Sequence, residues 1–140
     1  EMEERDLRQA LQVLESYKGQ MDALSRQVNI LQVSLEESVR ARETLKAFAD
    51  AKEGDEVLVP VGASVFVAAK VTGSRKAVVG IGSRVSVDKD LDEASEFMGS
   101  AVIEIQEALK KAGSAFSEVQ TAANNLADAI NAEYEARQQS

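Results

Sequence analysis

DEVLVPVGASVFVAAKVTGSRKAVVGIGSRVSVD, Asp55 to Asp88, is a valine-rich stretch broken by glycines in the middle of a 140-residue chain. Val57–Val61 runs into Gly62-Ala63 and is followed by Val65–Val71, which reads as a strand, a tight turn and a strand. After the polar connector Thr72–Lys76 the plan repeats as Ala77–Ile81, Gly82-Ser83 and Arg84–Asp88. Val57, Val59 and Val61 alternate with Leu58 and Pro60. Val65, Val67, Ala69 and Val71 alternate with Phe66, Ala68 and Lys70. Several segments are therefore apolar on both faces. Pro60 has no N–H to give a ladder, so an edge or a bulge is expected there.

A lone hairpin is marginal in water, and its free edges invite pairing with other chains. Strands apolar on two sides need cover on both, and this chain has no further strands or short helices to provide it. The expectation is an obligate oligomer in which strands from several subunits close a barrel. The residues expected to build it are Val57, Leu58, Val59, Val61, Val65, Phe66, Val67, Val78, Val79, Ile81, Val85 and Val87. Gly80-Ile81-Gly82 lacks the third glycine and the crossover unit of a nucleotide loop, so no phosphate site is assigned to it.

Both flanks read as helix. Leu7, Ala10, Leu14, Tyr17, Met21, Leu24, Val28, Leu31 and Leu35 recur at alternating spacings of three and four, a heptad stripe with polar residues between. Beyond Leu35 the stripe is expected to shift onto Val39, Leu45 and Phe48, because Ser38 and Arg42 fall where apolar residues were due. Lys52 and Gly54 mark the stop. A helix over about 3–53 would run roughly 75 Å at 1.5 Å per residue. Leu11, Val13, Ile30 and Val33 lie beside the stripe, where they either widen it or offer apolar surface to something else.

On the other side, Asp88, Asp90, Asp92 and Glu93 suit a helix start. Leu91, Met98, Val102, Ile105, Leu109, Ala112, Phe116, Val119, Ala123, Leu126 and Ile130 then form a second stripe, flanked by alanines that allow close helix approach. The two arms are expected to fold back antiparallel, with Leu7 near Ile130 to Tyr134. The predicted fold is α+β: a long antiparallel α-helical coiled-coil hairpin whose two helices are joined by two β-hairpins that assemble into an intersubunit β-barrel. It forms one domain, 1–140, with helices over about 3–53 and 89–138 and the hairpins at 55–88.

Composition narrows the function. Aromatics are 4% and Trp is absent, which suits narrow helix seams better than a broad globular interior. The chain has neither Cys nor His, which removes disulfides, thiolate metal sites and the commonest general base, so no catalytic residue, cofactor or metal ligand is assigned. A net charge of −8 without a basic stripe argues against nucleic acid. No apolar run reaches a membrane span and no signal-peptide core is seen, so a soluble cytosolic protein with no membrane contact is expected.

The order long helix, two Gly-turn hairpins, long helix resembles the alpha class of prefoldin subunits. The specific likeness is LVPVGASVFVAAKV at Leu58–Val71 and VVGIGSRVSVDK at Val78–Lys89, followed by acidic helix-starting residues. Two hairpins look like the alpha class rather than the beta class, and the lack of extensions is similar to archaeal members. The resemblance implies a hexamer of two alpha-class and four beta-class subunits. In it the hairpins form a double-barrel platform, and coiled-coil tips hold unfolded client proteins and pass them to a group II chaperonin without nucleotide. Carried onto this chain, the client-binding candidates are Leu7, Leu11, Val13, Leu126, Ile130 and Tyr134. The alternative left open is a structural filament or scaffold built from polymerising hairpins and coiled arms.

Overall fold

The computed structural model describes residues 2–139. Its elements run α1 (Glu4–Asp50), β1 (Glu56–Gly62), β2 (Val65–Lys70), β3 (Lys76–Gly82), β4 (Val85–Asp90) and α2 (Leu91–Gln139). The boundaries fall within a few residues of those read from the sequence, except that Arg84 belongs to a turn and the last strand runs on to Asp90. The chain forms two compact units. One gathers residues up to Ser34 with those from Ile105 onward, and the other is Leu35–Glu104.

In the first unit the outer portions of α1 and α2 pair antiparallel. Leu7, Ala112, Ala123 and Ile130 are buried, and Leu14, Tyr17, Leu24, Leu31, Leu109, Phe116 and Val119 are half-buried. These are the residues of the two stripes, as the three-four spacing requires. Ala112 and Ala123 are buried because a methyl side chain lets the facing helix approach. Among the described residues no large side chain is sealed from solvent, as expected where only two helices share a seam.

The second unit holds the inner portions of the helices and both hairpins. Here the α1 stripe runs through Leu45 and Phe48, both half-buried as expected, but not through Val39. Ser38 is buried whereas Val39 is 37% exposed, so the seam passes through a small polar residue at this point. Arg42 is exposed at the next position, and Ala41 and Leu45 carry the seam on. Opposite Arg42 stands Gly99, where a Cβ would lie 3.5 Å from the guanidinium Nε, so the glycine leaves room for the long side chain. On α2, Ala94 is fully buried three residues after Leu91 and four before Met98, which completes the second stripe.

The strands make two separate antiparallel sheets, β1–β2 and β3–β4. In the first, Glu56 faces Lys70, Val57 faces Ala69, Leu58 faces Ala68, Val59 faces Val67 and Pro60 faces Phe66; the register then slips so that Gly62 faces Val65. The irregularity expected near Pro60 is thus a bulge at Val61. The second sheet repeats it, with the slip between Gly80 and Gly82. The turns repeat as well: Ala63 and Ser64 have φ of 48° and 61°, and Ser83 and Arg84 have 51° and 61°. Two successive left-handed residues match the right-handed twist of the flanking strands. Gly62 and Gly82 precede them at φ of 114° and 107°, a region a side chain would penalise.

The hairpins are moored to the helix ends. Gly54 N–H donates to the Val71 carbonyl at 2.8 Å, and Val71 N–H to the Asp55 carbonyl at 2.9 Å. Gly54, at φ 89°, is the left-handed residue expected after the helix. The last turn of α1 has no basic residue. Arg75, from the connector between the hairpins, supplies the positive charge there: its guanidinium donates to the carbonyls of Ala49 and Ala51. Those are terminal carbonyls with no helical partner, at the negative end of the helix dipole. The carbonyl of the same Arg75 accepts from Leu91 N–H at 3.0 Å at the start of α2, which answers one of the unmet donors there.

Candidate functional site

The residues assigned to assembly divide by strand parity. On one face of the first hairpin Val59 (41% exposed), Val65 (53%) and Val67 (51%) lie with half-buried Val57. On the other lie Leu58 (69% exposed) and Phe66 (56%) with Pro60 and Ala68. Val61, at the bulge, is exposed as well. Both faces are apolar and open to water, as the alternation implied.

The second hairpin differs. Its apolar face carries Ala77, Val79 and Val87, with Val79 buried and Val87 half-buried, while Ile81 and Val85 near the turn stay exposed. Its other face is Lys76, Val78, Gly80, Ser86, Asp88 and Asp90, on which Val78 alone is a large apolar residue. The expectation of strands apolar on both sides is therefore corrected for this hairpin. The cause is composition: Ser86 and Asp88 stand where the first hairpin has Phe66 and Ala68. Ala77 and Val79 instead line a cleft of about 550 Å³ with Leu45, Thr44 and Met98. Lys89 stands 5.5 Å from the ring centre of Phe97, a cation–π contact that pins β4 to the first turns of α2.

The client-binding candidates also separate. Leu7 and Ile130 are buried in the seam at 5% and 3% exposure, and Leu126 is half-buried. Leu11, Val13 and Tyr134 are exposed at 37%, 42% and 44%. The first group holds the helices together, and the second is available to another molecule. Ile30 and Val33, at 70% and 56%, are exposed farther along α1.

Sequence reasoning read Glu133 only as an acidic neighbour at the coil end, not as a seam residue. It follows Ile130 by three, so it occupies the next seam position, and it is buried. Its carboxylate accepts from Met2 N–H at 3.2 Å and from Arg137 Nε at 3.0 Å, and Arg137 Nη2 donates to the Met2 carbonyl at 3.1 Å. The Arg137 guanidinium, and then the Met2 amide, hold the Glu133 carboxyl below its ordinary value near 4.5. The signal was present in the heptad count, but a glutamate on a seam does not by itself name its partner. Arg75 offered no sequence signal at all, since its partners lie more than twenty residues away.

Among the described residues no cluster of three or more acidic, His or Cys side chains suits a metal ion. None of the described helices is long and apolar enough to cross a membrane.

Comparison with known proteins places this arrangement. The family model for the prefoldin subunit matches residues 17–136. The prefoldin subunit alpha of Methanothrix thermoacetophila is 32% identical over 108 residues, which is 77% of this chain and 71% of the relative. That of Archaeoglobus fulgidus is 30% identical over 136 residues, 97% of this chain and 96% of the relative. A chain in the cryo-EM structure of filamentous prefoldin from Methanocaldococcus jannaschii superposes with a TM-score of 0.68 at 24% identity, over 86% of this chain and 98% of that one.

Proposed function

The chain belongs to the prefoldin family, and on that premise we propose that it is an alpha-class subunit of a cytoplasmic, ATP-independent holdase. Its hairpins join those of beta-class subunits, two chains of this kind with four of theirs, in a closed barrel platform. Its coil end captures unfolded proteins and hands them to a group II chaperonin. The observation that carries the reading is the pair of separate two-stranded sheets with exposed apolar faces. Such sheets are unstable alone, and strands from other subunits are the economical cover.

The mechanism is physical rather than chemical. Unfolded chains expose apolar segments, and Leu11, Val13 and Tyr134 offer weak apolar contacts. Several such ends in one assembly raise avidity far above a single contact, by roughly a hundred-fold or more. Half-buried Leu126 adds surface when the coil end opens. Nothing in this scheme calls for a cofactor.

The test mixes the purified chain with a beta-class subunit and measures mass by light scattering and suppression of client aggregation together. A closed hexamer that suppresses aggregation is expected. Deleting residues 1–13 with 126–140 should leave the mass of the truncated hexamer intact and abolish suppression. Undiminished suppression would remove the coil-end assignment. The alternative is an open polymer of the chain alone, a reading favoured by the filamentous assembly of the M. jannaschii protein. It predicts long assemblies without any beta-class partner.

A further inference from the structure

Glu133 and Arg137 stand one helical turn apart near the end of α2, and their side chains act as a unit. Glu133 Oε1 accepts from Arg137 Nε at 3.0 Å. That leaves Glu133 Oε2 to accept from Met2 N–H at 3.2 Å, and Arg137 Nη2 to donate to the Met2 carbonyl at 3.1 Å. An acceptor and a donor thus meet the N–H and the C=O of one residue, the pair of bonds that a neighbouring antiparallel strand exchanges with its partner. Neither bond uses the side chain of Met2, a half-buried residue. Met2 precedes α1, which starts at Glu4, so its main chain lies on α2 as a non-helical segment.

The seam does not itself call for this arrangement. A carboxylate buried among apolar residues is costly unless its charge is met, and alanine, used at Ala112 and Ala123, would close the helices together without that cost. What the charged pair adds is recognition of main chain. It is indifferent to residue type except for proline, which has no N–H to give. Folded proteins use their N–H and C=O groups internally, and unfolded ones leave them open. We propose that the Glu133–Arg137 pair is a binding site for the main chain of extended, unfolded polypeptide, and that Met2 occupies it as an internal stand-in. The proposal rests on client capture at the coil end and names what this part of the end recognises. Main-chain bonds supply affinity without sequence preference, and exposed Tyr134, next to Glu133, offers an apolar contact. A tethered occupant competes at high effective concentration, so it lowers the apparent affinity for any single segment. A client that engages several coil ends together overcomes it, whereas a short peptide at one end binds weakly.

The test uses the full chain assembled with a beta-class subunit and the blocked peptide acetyl-Gly-Ser-Met-Ser-Gly-amide, with binding read from line broadening of the peptide's methionine methyl signal. Helical circular dichroism and light scattering confirm that each variant is folded and assembled. M2P removes the amide that fills the site and should strengthen peptide binding several-fold. Adding E133A or R137A to M2P should abolish that gain. The same peptide with every main-chain amide N-methylated keeps its side chains and carbonyls, has no N–H and is more apolar. It should nevertheless bind the M2P assembly several-fold more weakly. If M2P leaves binding unchanged, if the gain survives E133A and R137A, or if the N-methylated peptide binds as well, the pair is a structural clasp alone. The inference is then overturned while capture stands. If the unmodified assembly does not suppress client aggregation, capture itself fails and the site falls with it.

Discussion

Arg75 Nη1 stands 2.9 Å from the carbonyl oxygen of Ala51, beyond the last turn of α1. The residue that closes the helix thus comes from the connector between two hairpins, and its own carbonyl receives the first amide of α2. R75A should lower stability by about 1 kcal/mol, because an exposed charge-assisted bond at a helix C-terminus contributes at the low end of its range. R75K keeps the charge but not the two-pronged donor, so it should recover only part. Chemical denaturation followed by helical circular dichroism, with hydrogen exchange at Leu91, checks both.

Glu133 makes the end of the coil pH-dependent. Its folded-state carboxyl titrates below the ordinary carboxylate value, held there by Arg137 and the Met2 amide. A depressed value stabilises the folded state above the unfolded titration point, and that contribution is lost as pH falls through the folded one. Acidification below the ordinary range should therefore speed hydrogen exchange at Met2 and the first turn of α1, whereas neutral to alkaline pH should not. E133Q should show the fast exchange at every pH.

The hairpin turns hold residues that suit them poorly. Ala63 and Ser64 both sit at positive φ, where Asn-Gly is favoured. A63N/S64G should stabilise the first hairpin by up to about 1 kcal/mol. G62A should act in the opposite direction by roughly 1–3 kcal/mol, given the φ of 114°. Thermal midpoints of the assembled protein, compared at one concentration, measure each.

At the coil end, buried and exposed apolar residues should separate capture from stability. L11S/V13S/Y134S removes exposed groups and should cut aggregation suppression several-fold while moving the thermal midpoint little. L7A or I130A removes buried groups and should cost about 2–4 kcal/mol locally. Suppression assays run beside hydrogen exchange of both helix ends distinguish the two classes. Equal loss of suppression and protection in the exposed triple variant would contradict the division.

Much of the fold was legible because its elements are local and periodic. The three-four spacing from Leu7 to Leu35 and from Met98 to Ile130 reports which side of each helix is dry. Gly62-Ala63 and Gly82-Ser83 mark the turns. The reading faltered where a single residue breaks the pattern. Ser38 looked like an interruption, yet it is buried while the apolar Val39 is not. A small hydroxyl fits a narrow seam, and Ala41, Leu45 and Phe48 continue it beyond Ser38. The alternation read on the first hairpin does not carry over to the second, where Ser86 and Asp88 make one face polar.

The sequence alone determined the order of elements, the stripes that pair, and the apolar strands that require company. Those follow from periodicity, which acts over a few residues and needs no knowledge of distant neighbours. Tertiary structure decided which residues of a stripe are consumed by the fold and which remain available. It sealed Leu7 and Ile130, left Leu11, Val13 and Tyr134 in water, and set Glu133 on the Met2 backbone. It also carried Arg75 onto the end of α1. The reason is range: burial and hydrogen bonding depend on what the chain brings back from far away, and hydrophobic spacing carries no record of that.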